Sequence, residues 1–389
     1  TTRSLTEIIS PGTYFGNDNQ VVSNNAMCVW LHKSEATRGM CELLTVGIAN
    51  VDVYTGRVTM SQFQIESFHN PCTYDELERL VTIHQPSECL VVTNLGKDVT
   101  SEVIQFVGLD HSKTHFTDLS TTTQLSEEAR NAEKQLYQQD IFSKFFPNHS
   151  DTFAGLIQEN YISIQALTLL LDFIYRHSPQ LVSKLSFPEI QSDSSRLTLA
   201  NHSLKQLNII DDSRHSGKLR SVSAFLNNCS TTMGKRRFMR CLSNPITDVS
   251  QLSHTYDVTN YLLDDGKKWN EYRGVLTGVS DLEKLVRKIV MKRATPKDIA
   301  MLGADIRRAI SIYKDVKTDP YLLLHFHKQD DRPIDALSDI VLVELEQALD
   351  LGACSTIDDM SPSSLIVNAA SNRFINEGRD SSIDNMREN

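Results

Sequence analysis

No apolar run in the 389 residues approaches the roughly 20 needed to cross a bilayer. The most apolar stretch, 166–175, is interrupted by Asp172 and flanked by Gln165 and Arg176, so it reads as a buried helix. No charged, apolar and small-residue succession opens the chain, and its first residue is Thr1 rather than Met. These absences predict an unsecreted, intracellular protein without a membrane segment, and a chain cut from a longer one. The 7 cysteines (Cys28, Cys41, Cys72, Cys89, Cys229, Cys241 and Cys354) include no C-x-x-C pair, and their odd number leaves no closed disulfide set. Most lie in apolar surroundings and are expected as reduced core thiols.

What is present is ordinary for a globular protein: 40% apolar and 23% charged residues, in a length that suits two domains or three small ones. The net charge of −10 is unevenly placed. Residues 1–120 carry 7 basic and 14 acidic side chains, the remainder 32 and 35. An acidic first third is a poor generic binder of phosphate backbones, so any basic surface must come later.

The first third has α/β texture. Ala26–Leu31, Leu43–Asn50 and Cys89–Thr93 are strand-like, and Val58–Phe63 can return as a hairpin partner across the turn Asp52-Val-Tyr-Thr-Gly56. Thr73-Tyr-Asp-Glu76 has the form of a capping box opening a helix through Val81, and Glu102–Val107 fits a second helix. After the Ser/Thr-rich break 120–124 the pattern becomes helix after helix. Ile157, Tyr161, Ile164, Leu167, Leu171 and Ile174 form one stripe of 3.6-residue period. Leu282–Val290, with a capping box at Ser280-Asp-Leu-Glu283, forms another, and Leu337–Leu349 a third. Thr295-Pro296 and Ser178-Pro179 read as an N-cap followed by proline at the first helical position.

The motifs that carry chemistry are mostly missing. Met233-Gly234-Lys235-Arg236 is the nearest approach to G-x-x-x-x-G-K-[ST], yet Cys229 stands where the first glycine belongs and Arg236 where a Mg²⁺-binding hydroxyl belongs. The chain therefore holds no nucleotide site of its own. Asp52, with Glu42 and Glu66 nearby in sequence, raises the question of a two-metal nuclease, which needs carboxylates converging on cations about 4 Å apart. The simpler reading of Asp52 is a turn aspartate holding backbone N–H groups. His325-x-His327 and His111…His115 lack a third zinc ligand at a suggestive spacing.

One charge feature stands apart. Between Arg214 and Arg240 lie seven basic residues and no acid, and Arg287, Lys288, Lys292 and Arg293 cluster further on. Lys235, Arg236, Arg237, Arg240, Arg287, Lys288, Lys292 and Arg293 are the candidate phosphate- or partner-contacting patch. The competing reading is that long basic chains run out from packed helices and meet acids elsewhere in the fold.

The same region carries a pattern. Leu219-Arg-Ser-Val-Ser-Ala-Phe-Leu-Asn227, Thr231-Thr-Met-Gly-Lys-Arg236 and Cys241-Leu-Ser-Asn-Pro-Ile246 together resemble the MutS family signature S-L-x-x-V-L-[ND]-x-T-x-T-P-M-G-x-R…W-L-x-x-P-L. Thr232 replaces the usual proline and Cys241 the usual tryptophan. Further blocks follow the family's order: Ile8-Ile-Ser-Pro-Gly-Thr13, Gly47-Ile-Ala-Asn-Val-Asp-Val-Tyr-Thr-Gly56 (G-[LI]-A-x-x-D-x-x-T-G), and 197–209 with Ala200 and Asn208 for the usual acids. Asp281-Leu-Glu-Lys-Leu-Val286 with Ala294-Thr-Pro-Lys-Asp298, and Ile375–Gly378 with Asp380 and Ile383–Arg387, complete the series.

The resemblance implies a multi-domain chain. Residues 1–20 would lead out of a mismatch-binding domain, 21–119 form an RNase H-like α/β connector, and 120–389 form an α-helical core and lever ending at the start of a DNA clamp. It implies ATP and Mg²⁺ in the parent protein but no cofactor, metal or catalytic residue in this chain. The implied partners are double-stranded mismatched DNA, a MutL-type protein and a second MutS-type subunit, as homo- or heterodimer. Helices expected to pack against others outside the chain predict exposed stripes such as Leu337–Leu349 and a tendency to self-associate. Two rival readings are an RNase H-like Mg²⁺-dependent nuclease with a helical appendage, and a helical scaffold with no DNA role.

Overall fold

A computed structural model describes residues 8–16, 22–34, 42–66, 71–191, 197, 203–211, 216–264, 266–326, 333–358 and 374–379. The contacts divide the chain into two compact units, Thr1–Asn228 with Arg236–Thr247, and Cys229–Lys235 with Asp248–Asn389.

The first unit is built on a mixed six-stranded sheet. Its strands are β1 (Asn25–Lys33), β2 (Leu43–Asp52), β3 (Arg57–Glu66), β4 (Glu88–Thr93), β5 (Thr114–Asp118) and β6 (Glu189–Ile190), in the order β5-β4-β1-β2-β3-β6. β1, β2 and β3 form an antiparallel meander, whereas β4 and β5 add parallel to β1. Parallel addition needs crossover helices, and α1 (Asp75–His84) and α2 (Lys97–Val107) supply them. They cover one face, where Met27, Val29, Leu31, Val46 and Ile48 pack against Leu77, Leu80 and Val103. The opposite face meets α5 (Ser150–His177), whose Ile164, Leu167, Leu171 and Ile174 are fully buried. Tyr161, counted into the same stripe, points outward instead. Asn160 leaves helical geometry just before it, at φ −130° and ψ 36°, and turns the stripe at that point.

Gly47 shows why α5 can lie so close. A Cβ at this position would sit 2.5 Å from the backbone carbonyl carbon of Ile162, so only glycine lets the strand and helix approach. The helices α3 (Gln124–Ala132) and α4 (Gln135–Phe145) pack on α5 and close this side. The sheet's body thus continues beyond residue 119, and the division expected there does not coincide with the division of contacts. The expectation separated strands from helices by texture; α5 belongs with the sheet because its apolar face has the sheet's second face to cover.

Short helices α6 (Ser203–Gln206) and α7 (Val222–Leu226) complete this unit with most of α8 (Thr232–Ser243). The second unit holds α9 (Val249–Asp264), α10 (Gly266–Thr277), α11 (Leu282–Val290), α12 (Pro296–Thr318), α13 (Pro320–Phe326), α14 (Ile334–Ala348) and α15 (Leu351–Cys354). Its α12 opens as the sequence predicts: Thr295 caps, Pro296 follows, and Asp298 reciprocates to complete a capping box.

Two other predicted boxes differ. α1 begins at Asp75 after a 3₁₀ turn over Pro71–Tyr74, with no side-chain cap bond. The N-cap of α11 is Asp281, while Ser280 bonds the buried Asp305 instead. Ser178-Pro179 opens a single 3₁₀ turn, Pro179–Val182. Strand β5 was not foreseen, since Thr-His-Phe-Thr-Asp has too few apolar residues to read as buried. No helix among the described residues is long and apolar enough to cross a membrane.

Candidate functional site

The motif blocks take on definite structural tasks. Ser10 and Gly12 reach the buried Glu88 at the head of β4: the Ser10 hydroxyl donates to Oε2 at 2.5 Å and the Gly12 N–H to the same oxygen at 2.9 Å. His115 Nε2 meets the other carboxylate oxygen at 2.7 Å. A Cβ on Gly12 would lie 2.6 Å from the Glu88 Cβ, so this block needs its glycine for close approach.

In the second block Asp52 holds the β2–β3 turn. Its Oδ1 accepts the Tyr54 N–H at 3.0 Å and the Asn24 N–H at 3.4 Å, and its Oδ2 accepts the Thr55 hydroxyl at 2.9 Å. Gly56 closes the turn at φ +72°. Burial pushes the Asp52 pKa upward, opposed by the Thr55, Tyr54 and Asn24 hydrogen bonds and the charge of Arg236. The residue is an Asx-turn anchor. Glu66 lies at the far end of the hairpin: the register pairs it with Leu43, nine steps along β2 from Asp52, or about 30 Å at roughly 3.3 Å per residue. Glu42, next to Leu43, is paired with Lys33 at 2.5 Å. These carboxylates cannot converge on one pair of cations with Asp52, and the described residues contain no cluster of three or more metal-ligating groups.

The signature helix α8 is equally structural at its start. The Thr231 hydroxyl accepts the Gly234 N–H at 3.0 Å, a cap bond three residues into the turn. A Cβ on Gly234 would press on Thr231 Oγ1 at 3.0 Å and on Cys229 Cβ at 3.2 Å. Gly234 thus sits inside a helix turn rather than in a phosphate-cradling loop.

The candidate basic patch is split by the fold. Arg236 turns to the sheet unit, where Nη1 donates to the Val22 carbonyl at 3.0 Å. Arg240, one helical turn later on the same face, lies close enough to His84 to depress its pKa. Lys235 and Arg237 are exposed, but they stand two positions apart and point in different directions around the helix. In the second unit Arg287 is buried, and Lys288 bonds both Asp298 oxygens at 2.8 and 3.1 Å. Lys292 is exposed at φ +57° and Arg293 is half-buried. The eight residues therefore form no single cationic face within either unit. The face of α8 that carries Arg236 and Arg240 is a joint between helix and sheet.

Arg79 and His84 belong to this joint and Glu88 to the Ser10/Gly12 contact, and all three were missed by sequence reasoning. Arg79 is only 3% exposed, binds both Glu76 oxygens, and donates at 3.2 Å to Oδ1 of Asn244, the residue that follows α8. A lone arginine on an amphipathic helix gives no sequence signal of this role. The late block holds α14: the Asn376 amide donates to the Glu346 and Gln347 carbonyls, at 2.8 and 3.1 Å. Asp380, 383–387 and His327 lie outside the described residues. His325 Nδ1 instead meets His254 Nε2 at 2.9 Å.

Residues 202–377 match the family described as MutS domain III. A putative DNA mismatch repair protein MutS homologue of Acanthamoeba polyphaga mimivirus is 24% identical over 337 residues, covering 81% of this chain and 30% of the viral protein. The DNA mismatch repair protein MutS of Clostridium beijerinckii is 23% identical over 87% of the chain and 32% of its own length. That of Treponema denticola is 23% identical over 92% and 38%. The chain thus spans about a third of the length of these relatives. With the signature blocks in order and the similarity running across both units, residues 202–377 carry a MutS domain III, and the chain is similar, at low identity, to DNA mismatch-repair proteins of the MutS family.

Proposed function

We propose that this chain is the connector and lever part of a MutS-type mismatch-repair protein, and that its role is mechanical. It transmits state between a mismatched-DNA site and an ATP- and Mg²⁺-dependent site, both outside these residues, in a dimer with a second MutS-type subunit. The observation that carries the reading is the use of the family blocks as joints. The Ser10/Gly12 block is fastened to Glu88, the turn of Asp52 to Asn24, and Arg236 to Val22. Charged groups spent on such joints hold elements in register, as transmission between distant sites requires.

The strand order β3-β2-β1-β4-β5, with β2 alone antiparallel to its β1 neighbour, supports an RNase H-like connector. An exposed surface on such a connector is where a MutL-type partner would dock. Lys235, Arg237 and Lys292 are the exposed members of the basic patch that would contact phosphate or an acidic partner. The test is mismatch-stimulated ATP turnover of the intact protein carrying this chain. Arg236→Gln is expected to keep basal turnover and to lose most of the response to mismatched duplex. An unaltered response in a folded Arg236→Gln protein would overturn the mechanical reading.

A further inference from the structure

An unbroken helix bonds each interior N–H to the carbonyl four residues back. In α5 that ladder is interrupted at Asn160, whose φ of −130° and ψ of 36° are not helical. The side-chain amide of Gln62, on β3, stands in at the break. Its Oε1 accepts the Ile162 N–H at 2.8 Å and the Ser163 N–H at 3.2 Å, the donors that an unbroken helix would send to Gln158 and Glu159. Its Nε2 donates to the Glu159 carbonyl at 3.2 Å. One side chain thereby caps both the end of a first segment, 150–159, and the start of a second, 161–177.

The sheet is shaped to receive this break. Gly47 is the direct cross-strand partner of Gln62. A Cβ on Gly47 would stand 2.5 Å from the Ile162 carbonyl carbon and 2.6 Å from the Ser163 nitrogen. The two residues form a socket in which glycine admits the helix backbone and glutamine satisfies its polar groups. An unbroken helix would have no free N–H there to offer Gln62.

The two segments are held differently. In the second, Ile162, Ile164, Leu167, Leu171 and Ile174 are at most 2% exposed. In the first, Gly155, Gln158 and Glu159 are exposed, and among its described side chains Phe153 alone is buried. The Phe153 ring lies 4.3 Å from that of Phe142 on α4. Less than one turn along α4, Phe145 meets Tyr175 of the second segment at 5.7 Å. Residues 153 and 175 would stand about 33 Å apart in a straight helix, so α4 lies on the inside of a bend.

We propose that α5 is a hinged helix, in which the Gly47–Gln62 socket keeps the second segment on the sheet and lets the first open by itself. Helical cooperativity passes from turn to turn through the ladder, and at Asn160 it passes through the Gln62 amide instead. Opening of 150–159 costs that segment its own ladder and the Phe142–Phe153 contact. The second segment stays capped at Ile162 and Ser163, and Phe145 stays on Tyr175. The opened state frees one end of the α4 contact without disturbing the sheet.

Residue-resolved hydrogen exchange of the 389-residue chain at pH 7, in water and in low urea, tests this. Amides of 154–159 should exchange at least about a hundredfold faster than those of 166–174, and only the latter should respond steeply to urea. Gln62→Ala should speed exchange at 154–159 and at Ile162 and Ser163 about tenfold, and leave 166–174 unchanged. Gln62→Glu keeps the acceptor and loses the donor, so Ile162 and Ser163 should stay protected while 154–159 loosens. Circular dichroism of each variant separates an opened segment from a lost fold. Equal protection and equal urea response along the whole of α5 would overturn the proposal. So would a folded Gln62→Ala protein in which both segments change alike or neither changes.

Discussion

Arg236 Nη1 lies 3.0 Å from the Val22 carbonyl, and the same guanidinium opposes the pKa rise that burial imposes on Asp52. One side chain of the signature helix thereby serves the segment leading into β1 and the turn between β2 and β3. Arg236→Gln is expected to lower stability by about 1–3 kcal/mol, because the Val22 carbonyl and the Asp52 carboxyl both lose a charged neighbour. The midpoint of urea unfolding measures it. Arg237→Gln, one residue along on an exposed side chain, should change the midpoint little.

Gly47 carries a second prediction. Its missing Cβ would stand 2.5 Å from the Ile162 backbone, where no flexible side-chain end can move aside. Gly47→Ala should destabilise by about 1–3 kcal/mol through overpacking, and Gly47→Val by more. Thermal unfolding of the two variants checks both the size and the order of the effects.

His84 gives a pH dependence of defined sign. Its folded pKa of about 4 lies below the ordinary histidine value of 6.5. Between those values the unfolded chain binds a proton that the folded chain refuses, so stability falls as the pH drops from about 6.5 to about 4. The contribution is at most about 3 kcal/mol at the limit of the window. His84→Gln should flatten the stability profile in that interval relative to wild type, as chemical denaturation at a series of pH values would show. An equal slope in both proteins would remove His84 as its cause.

Helix α14 bears an apolar stripe that meets solvent. Ile334, Leu337, Ile340, Val341 and Val343 are each at least 43% exposed, and the helix has no buried residue. The 389-residue chain is expected to self-associate through this face. Light scattering should show mass rising with concentration, and Leu337→Lys with Ile340→Lys should return it to that of a single chain. A wild-type sample of constant monomer mass would contradict the expectation.

The sequence makes part of this plain. Periodicity located β1, β2, β4 and the buried stripe of α5, because burial of one face imposes its spacing directly on the residues. The Thr295-Pro296 cap of α12 was legible for the same local reason. The basic patch was not, since the partners of Arg236, Lys288 and Arg79 lie on other elements, and charge counting is blind to which face each side chain takes. Thr73 and Ser280 illustrate a related limit. Both stand in capping-box spacing, yet α1 starts after a 3₁₀ turn and Ser280 has the buried Asp305 to satisfy. The juxtaposition of Asn50 with Thr59 was invisible because it arises only through strand register.

The mechanical account rests on the joint between α8 and the sheet responding to both distant sites. Hydrogen exchange of the intact protein, followed in peptides covering 22–34 and 232–243, tests this most directly. The account predicts that mismatched duplex and ATP each change protection in both peptides, and that Arg236→Gln abolishes the response of one or both to the more distant ligand. Protection that ignores either ligand in the wild-type protein would contradict it.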